Sequence, residues 1–322
     1  DNLRGNELRG ALIDKLYSAG VRVVAVPDGA AAGVLLDNYL QTGNTGSLDS
    51  YLSVLPADRR DSARTLWEHV RTRYPGVFHA AGLGADARSA TVGKALTVLA
   101  NASYNTPEAE IAEAVQVMRS GTTSNAVYWF KTAMAKYPRQ MERFFGSSYA
   151  AVSRLYYAMQ GTLNVADDSE LPTYDAKQLL KTYKKDGILI FTDEASALMT
   201  EGSMASELQA QLDKQKYGED EDPQRVCAIG AVYGTWSNAG SFTPDDTETA
   251  WDADSLTEYL GSDALRGKDM LLALDGEDSP FAASAAFMEN TDTPAGEWAA
   301  KLLILHDKAD DTTTNAEEDT DS

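Results

Sequence analysis

Ten cationic side chains stand in two runs: Arg59, Arg60, Arg64, Arg71 and Arg73 in the first, Lys131, Lys136, Arg139, Arg143 and Arg154 in the second. The second run, Tyr128 to Tyr157, also holds nine aromatic residues and a single acid, Glu142. A guanidinium fork grips phosphate bidentately, and an aromatic face stacks on a base. Cations interleaved with rings are therefore what a single-stranded nucleic acid needs. Lys136, Arg139 and Arg143 recur three or four residues apart and share one helix face, as Arg60, Arg64 and Arg71 share a flank of the helix bearing Trp67. The plainer reading of the same pattern is a core of aromatics and a solvated Arg face paired with acids such as Glu108, Glu110 and Glu113.

Signatures of other chemistry are weak. Val92-Gly93-Lys94-Ala95 approaches a phosphate loop, but Arg88 stands where the first Gly is needed and the closing hydroxyl is missing. Gly82-Leu83-Gly84-Ala85-Asp86-Ala87 lacks the third Gly of a dinucleotide fingerprint. No Gly-x-Ser-x-Gly elbow occurs. His69, His79 and His306 have no metal-ligand spacing, and His69 reads as structural or surface. The lone Cys227 excludes a disulfide framework within the chain and reads as a small buried hydrophobe, not a nucleophile. Asp220–Asp222, and Asp245, Asp246, Glu248, Asp252 and Asp254, do not match a calcium-loop spacing and read as solvated loops. With 49 acids, no carboxylate pair stands out. No metal and no cofactor is expected.

The acids are unevenly placed. Residues 1–190 carry 21 basic and 19 acidic residues, whereas 191–322 carry 7 and 30, which together give the net charge of −21. Such a step within one chain marks a polyanion-facing part joined to an acidic part, or simply one lobe with an acidic surface. The chain opens on Asp, as a processed or trimmed sequence would. It shows no charged-then-apolar leader, and its longest apolar runs are only about five residues, so neither a signal peptide nor a membrane role is expected.

Most segments carry the helical period. Ala63, Leu66, Trp67, Val70 and Tyr74 form one stripe that Pro75-Gly76 ends. Leu8, Leu12, Ile13 and Leu16 mark an N-terminal helix, and Pro107-Glu108 and Pro138 open later ones. VRVVAV, residues 21–26, reads as a strand closed by the turn Pro27-Asp28-Gly29. ILIF (188–191) and RVCAIGAVYGTW (225–236) fit either type, and GEWAAKLLILHDKA (296–309) reads as a final helix. The expected fold is mainly α: a two-lobed helical bundle with at most a few short strands, an N-terminal arm helix and a disordered acidic tail. The expected division is a neutral-to-basic, aromatic-rich lobe at 1–163, a linker at 164–173, an acidic lobe at 174–308 and a tail at 309–322.

This layout leads to the expectation of a non-enzymatic nucleocapsid or coat protein, in a virion or the cytoplasm, that self-assembles and packages single-stranded RNA through the ten cations. The alternatives are a capsid or scaffold assembling by protein contacts only, and a soluble α-rich enzyme with a dispersed site.

Overall fold

The computed structural model describes residues 3–86, 88–121, 123–161, 171–184, 186–192, 197–215, 224–236, 242–244, 251, 270–275, 279 and 295–306. The chain divides into two units, Asp1–Thr192 and Asp193–Ser322. Most of the linker expected at 164–173, the acidic clusters at 220–222 and 245–254, and the tail at 309–322 lie outside the described residues.

The first unit is organised by a parallel sheet of three strands, Val21–Val26 (β1), His79–Gly82 (β2) and Gly187–Ile190 (β3), in the order β2-β1-β3. Val23 lies opposite His79 and Val26 opposite Gly82 on one side of β1; Ala25 lies opposite Ile190 on the other. A central parallel strand is covered on both faces and so reads as a continuous apolar run. Val23, Val24 and Ala25 are accordingly fully buried.

Ten helices accompany this sheet among the described residues: Leu3–Tyr17 (α1), Ala30–Thr42 (α2), Thr45–Leu52 (α3), Arg60–Arg73 (α4), Ser89–Ala102 (α5), Ala109–Ser120 (α6), Thr123–Lys136 (α7), Pro138–Phe145 (α8), Tyr149–Gly161 (α9) and Leu171–Thr182 (α10). Local chemistry sets several of their ends. α2 stops at Gly43, whose φ of 78° lets its N–H return to the Tyr39 carbonyl. The Asn44 side chain then accepts from the Ser47 N–H at 3.3 Å and starts α3. Pro138 sits in the first turn of α8, where its missing N–H costs nothing. The α4 stripe faces inward as the spacing requires, with Ala63, Leu66, Trp67 and Val70 buried.

α2 lies against β2 at backbone distance. A Cβ on Gly33 would run into the Gly82 backbone, and one on Gly82 into the Gly29 carbonyl. Only paired glycines permit that approach. It brings the start of α2 directly over the end of β2.

The second unit holds a mixed sheet of four strands in the order β5-β4-β7-β6: Ile229–Trp236 (β4), Phe242–Pro244 (β5), Met270–Ala273 (β6) and Lys301–His306 (β7). β4 and β7 are parallel; β4–β5 and β6–β7 are antiparallel. Met204–Leu212 (α11) is capped by the Ser203 hydroxyl, which accepts from the Ser206 N–H at 3.0 Å. Val232, Trp251, Leu302 and Ile304 are buried in this unit's core.

The chain is mainly helical with a few short strands, as expected. Several segments differ from their reading. Both ambiguous runs are strands. Of the expected final helix, only one short turn, Ala295–Trp298 (α12), is helical, and Leu302 to Leu305 belong to β7. An apolar run of that length satisfies either period, and here its backbone is claimed by β4 and β6 on its two sides. β2 was not anticipated, because His-Ala-Ala-Gly has neither alternation nor branched residues. Cys227 is exposed, not buried. It precedes a stretch in which Ala228, Gly230 and Val232 face inward and Ile229 and Ala231 outward, and that alternation places position 227 outside.

The glycine contact gives a direct test. Gly33→Ala should destabilise the protein by about 1–3 kcal/mol or more, as overpacking does. Gly10→Ala, where the new methyl would meet only Leu66 at 3.5 Å inside α1, should be neutral or stabilise by about 0.5–1 kcal/mol. Urea unfolding of the two variants distinguishes them.

Candidate active site at the strand ends

In an open parallel sheet the carboxyl ends of the strands are where ligand-binding groups collect, at the point where the strand order reverses. Here that point is β1, which passes to β2 on one side while β3 returns on the other. The chain leaves β1 through Pro27-Asp28-Gly29, leaves β2 through Leu83 to Asp86, and leaves β3 through Phe191.

Asp28 is half-buried, and its carboxylate accepts a hydrogen bond from the buried Tyr51 hydroxyl at 2.9 Å. Burial pushes its carboxyl above the ordinary value of 3.8, while the Tyr51 hydrogen bond and the guanidiniums of Arg9, Arg59 and Arg88 pull it back. Burial and the negative charge of Asp28 push the Tyr51 phenol well up in turn. The three arginines come from α1, from the turn before α4 and from the residue before α5. Arg9 donates to the Asn6 side chain at 3.2 Å and lies over the Phe191 ring at 5.1 Å. A carboxylate held by one phenol and lying in the field of three guanidiniums is suited to taking a proton next to a site that attracts negative charge.

A second carboxylate, Asp86, supports the first. It is 8% exposed and accepts from the Ala31 N–H at 2.7 Å, at the start of α2. A neighbouring strand end thus caps the helix that begins just after Asp28. Burial raises Asp86 to about 6, outweighing the Ala31 and Ala30 N–H groups and the Arg154 guanidinium, all of which lower it. Asp86 lies so close to Gly29 that a Cβ there would meet its Oδ1. Asp86 is buried and engaged with the start of α2, whereas Asp28 is only half-buried.

Behind them lies a buried ion pair. Arg154, on α9, donates through Nε to Asp175 Oδ1 at 2.8 Å and through Nη2 to the Gly82 carbonyl. Asp175, on α10, accepts in addition from the Gly84 N–H at 2.9 Å. At the other end of β2, His79 meets Asp37 at 3.1 Å, and that hydrogen bond holds the imidazole above its ordinary value. Burial pushes the nearby Tyr183 phenol up to about 12.

The ten cations named from the sequence do not gather in one place. Arg64 pairs with Asp49 at 2.7 Å, Arg73 with Asp14 at 3.4 Å, and Arg143 with Glu108 at 2.8 Å. Arg60 donates to the Leu55 and Ser53 carbonyls. Arg71 donates to the Leu40 carbonyl at 3.0 Å and so serves the C-terminus of α2. Arg154 is interior. Arg59 is exposed beside the Asp28 site. Lys131, Lys136 and Arg139 form no hydrogen bond or ion pair among the described residues, and the two lysines line a cleft between α7 and α9. His69 takes the structural part expected of it, at 3.2 Å from Asp14. The Asp28 group escaped the sequence reading, although one signal was available: an acid directly after an apolar strand.

No protein-family model matches the chain, and no curated protein sequence does. Solved structures do match it. A succinoglycan biosynthesis protein aligns at 13% identity with a TM-score of 0.60, over 94% of this chain and 83% of that one. A protein from Bacillus cereus aligns at 14% identity with a TM-score of 0.58, over 94% and 84%. A mutant of erythromycin esterase, in its open conformation, aligns at 14% identity with a TM-score of 0.55, over 93% and 86%. Likeness at this identity concerns the fold. It overturns the nucleocapsid expectation, because the architecture is shared with a biosynthesis protein and an esterase, and nothing in it supports a virion. None of the described helices is long and apolar enough to cross a membrane.

Two measurements probe the buried groups. Arg154→Met leaves Asp175 without its counter-charge and should cost about 3–5 kcal/mol, while Arg154→Met combined with Asp175→Leu should recover most of that loss. Asp86 binds its proton more tightly in the folded state than at the ordinary value of 3.8, so its contribution to stability is full below that value and is lost as pH rises through about 6. Urea unfolding should therefore show wild type losing about 3 kcal/mol relative to Asp86→Asn between about pH 4 and about pH 7.

Proposed function

We propose that the chain is a hydrolytic enzyme whose general base is Asp28. The observation that carries this reading is the half-buried Asp28 carboxylate at the end of β1, held by the Tyr51 hydroxyl at 2.9 Å and lying in the field of Arg9, Arg59 and Arg88. The shared fold with an esterase supports the reaction class.

In this reaction an ester is cleaved by water. Asp28 takes a proton from the attacking water as its oxygen bonds to the carbonyl carbon. The guanidiniums face the negative charge that grows on the carbonyl oxygen, a stabilisation that is strong where burial lowers the dielectric. As the tetrahedral species collapses, the bond to the leaving oxygen breaks and the proton on Asp28 passes to that oxygen. Tyr51 holds the carboxylate in place, and Asp86 fixes the turn that presents it.

The test is turnover of a panel of carboxylic esters and lactones, followed by acid release. Asp28→Asn should lower kcat/KM by about 10²–10⁴. The base works ionised, so the rate should fall as pH drops through its raised value. The Tyr51 hydroxyl lowers that value, so Tyr51→Phe should move the acid limb to higher pH. Turnover of no ester above the Asp28→Asn background would remove the proposal.

A further inference from the structure

α7 and α9 leave an open cleft of about 620 Å³ between them. α7 supplies Tyr128, Lys131 and Thr132, with Lys136 at its last turn; α9 supplies Tyr156 and Gln160. The spacing is that of one helical face on each side: 128, 131 and 132 on α7, 156 and 160 on α9. None of these residues is among those around Asp28.

Three observations bear on what the cleft takes. Its size falls within the range of small-molecule sites, about 300–1,000 Å³. Its two lysines have no acceptor among the described residues, whereas Arg64, Arg73 and Arg143 each hold a carboxylate. In a chain of net charge −21, two amines left over in one concavity are matched to an anion. The third concerns the rings. Tyr156 is braced by an edge contact with the buried Phe130, centroids 6.0 Å apart at 86°, while Tyr128 is 67% exposed. Two rings, Tyr128 in edge contact with Trp129 at 6.2 Å, offer apolar faces beside two neutral hydrogen-bonding groups, the Thr132 hydroxyl and the Gln160 amide. A sugar uses both: its C–H faces lie on aromatic rings, and its hydroxyls exchange hydrogen bonds with hydroxyl and amide. A bare aryl acid would leave Thr132 and Gln160 to water.

We infer that the α7–α9 cleft binds an acidic saccharide, a sugar ring carrying a carboxylate or a phosphate. Lys131 and Lys136 take the anion, Tyr156 and Tyr128 take the ring, and Thr132 and Gln160 take hydroxyls. The site stands apart from the hydrolytic reading and does not depend on it.

The experiment is calorimetric titration of the full chain with digalacturonate, with glucose 6-phosphate and with glucose. At least one acidic probe should bind saturably, and glucose should not. Binding of the uronate alone identifies a carboxylate ligand; binding of the phosphate alone identifies a phosphorylated one. The double variant Lys131→Gln/Lys136→Gln should weaken that binding about tenfold, as should raising salt from roughly 50 to roughly 500 mM. Tyr128→Ala changes an exposed side chain, so the fold is retained, and it should weaken binding several-fold. Asp28→Asn should bind as wild type does, which separates this inference from the proposed hydrolysis. The inference is overturned if neither acid binds, if glucose binds as well as the acids, or if the lysine double variant binds unchanged.

Discussion

The Arg154–Asp175 pair fixes the turn that leaves β2, and much of the first unit's geometry follows from that turn. One partner comes from α9 and the other from α10, yet both reach the same few backbone groups: Arg154 the Gly82 carbonyl, Asp175 the Gly84 N–H. Ions this far from water gain little net stability over apolar residues of the same shape. What the pair supplies is direction. With Gly82 and Gly84 held, Asp86 falls beneath the first turn of α2, and α2 begins two residues after Asp28. The position of the half-buried carboxylate is thus inherited from a charge pair on two distant helices.

The two aspartates illustrate how environment separates roles. Both follow parallel strands and both have raised pKa values, yet their surroundings differ in kind. Asp86 faces backbone N–H groups and is enclosed. Asp28 is held by a phenol, lies in the field of cationic side chains and remains partly open. A carboxylate engaged with a helix start is held in place. One surrounded by guanidiniums at a strand end can exchange its proton with something that arrives from solvent.

What could be read beforehand was whatever is written within one element. β1 was legible because a buried parallel strand has no polar face, and α4 because its stripe is regular. β2 was not, since its four small residues become a strand only by register with β1. The same limit hid the candidate site. Arg9, Arg59 and Arg88 have no common spacing and converge on Asp28 only after α1, α4 and α5 are placed. It also made the cationic helices misleading. Their faces were correctly aligned in sequence, but Asp14, Asp49 and Glu108, which neutralise Arg73, Arg64 and Arg143, sit on other helices or at their ends. Among the described residues, Lys131 and Lys136 lack such partners, a difference that no count of basic residues reveals.

The two sheets also differ in when they can be completed during synthesis. In the first unit the central strand, β1, emerges early, and later strands add to its two sides. In the second the order is reversed. β7, the last described strand of the chain, lies between β4 and β6. Until residues 301–306 have left the ribosome, β6 has no strand partner among the described residues and β4 has only the short β5. Among the described residues, the nascent second unit therefore carries strand edges without their final partner until then, the condition under which chains pair with one another instead of with themselves. Its abundance of acids, 23 against 5 bases over residues 191–300, opposes such pairing by charge repulsion during that interval.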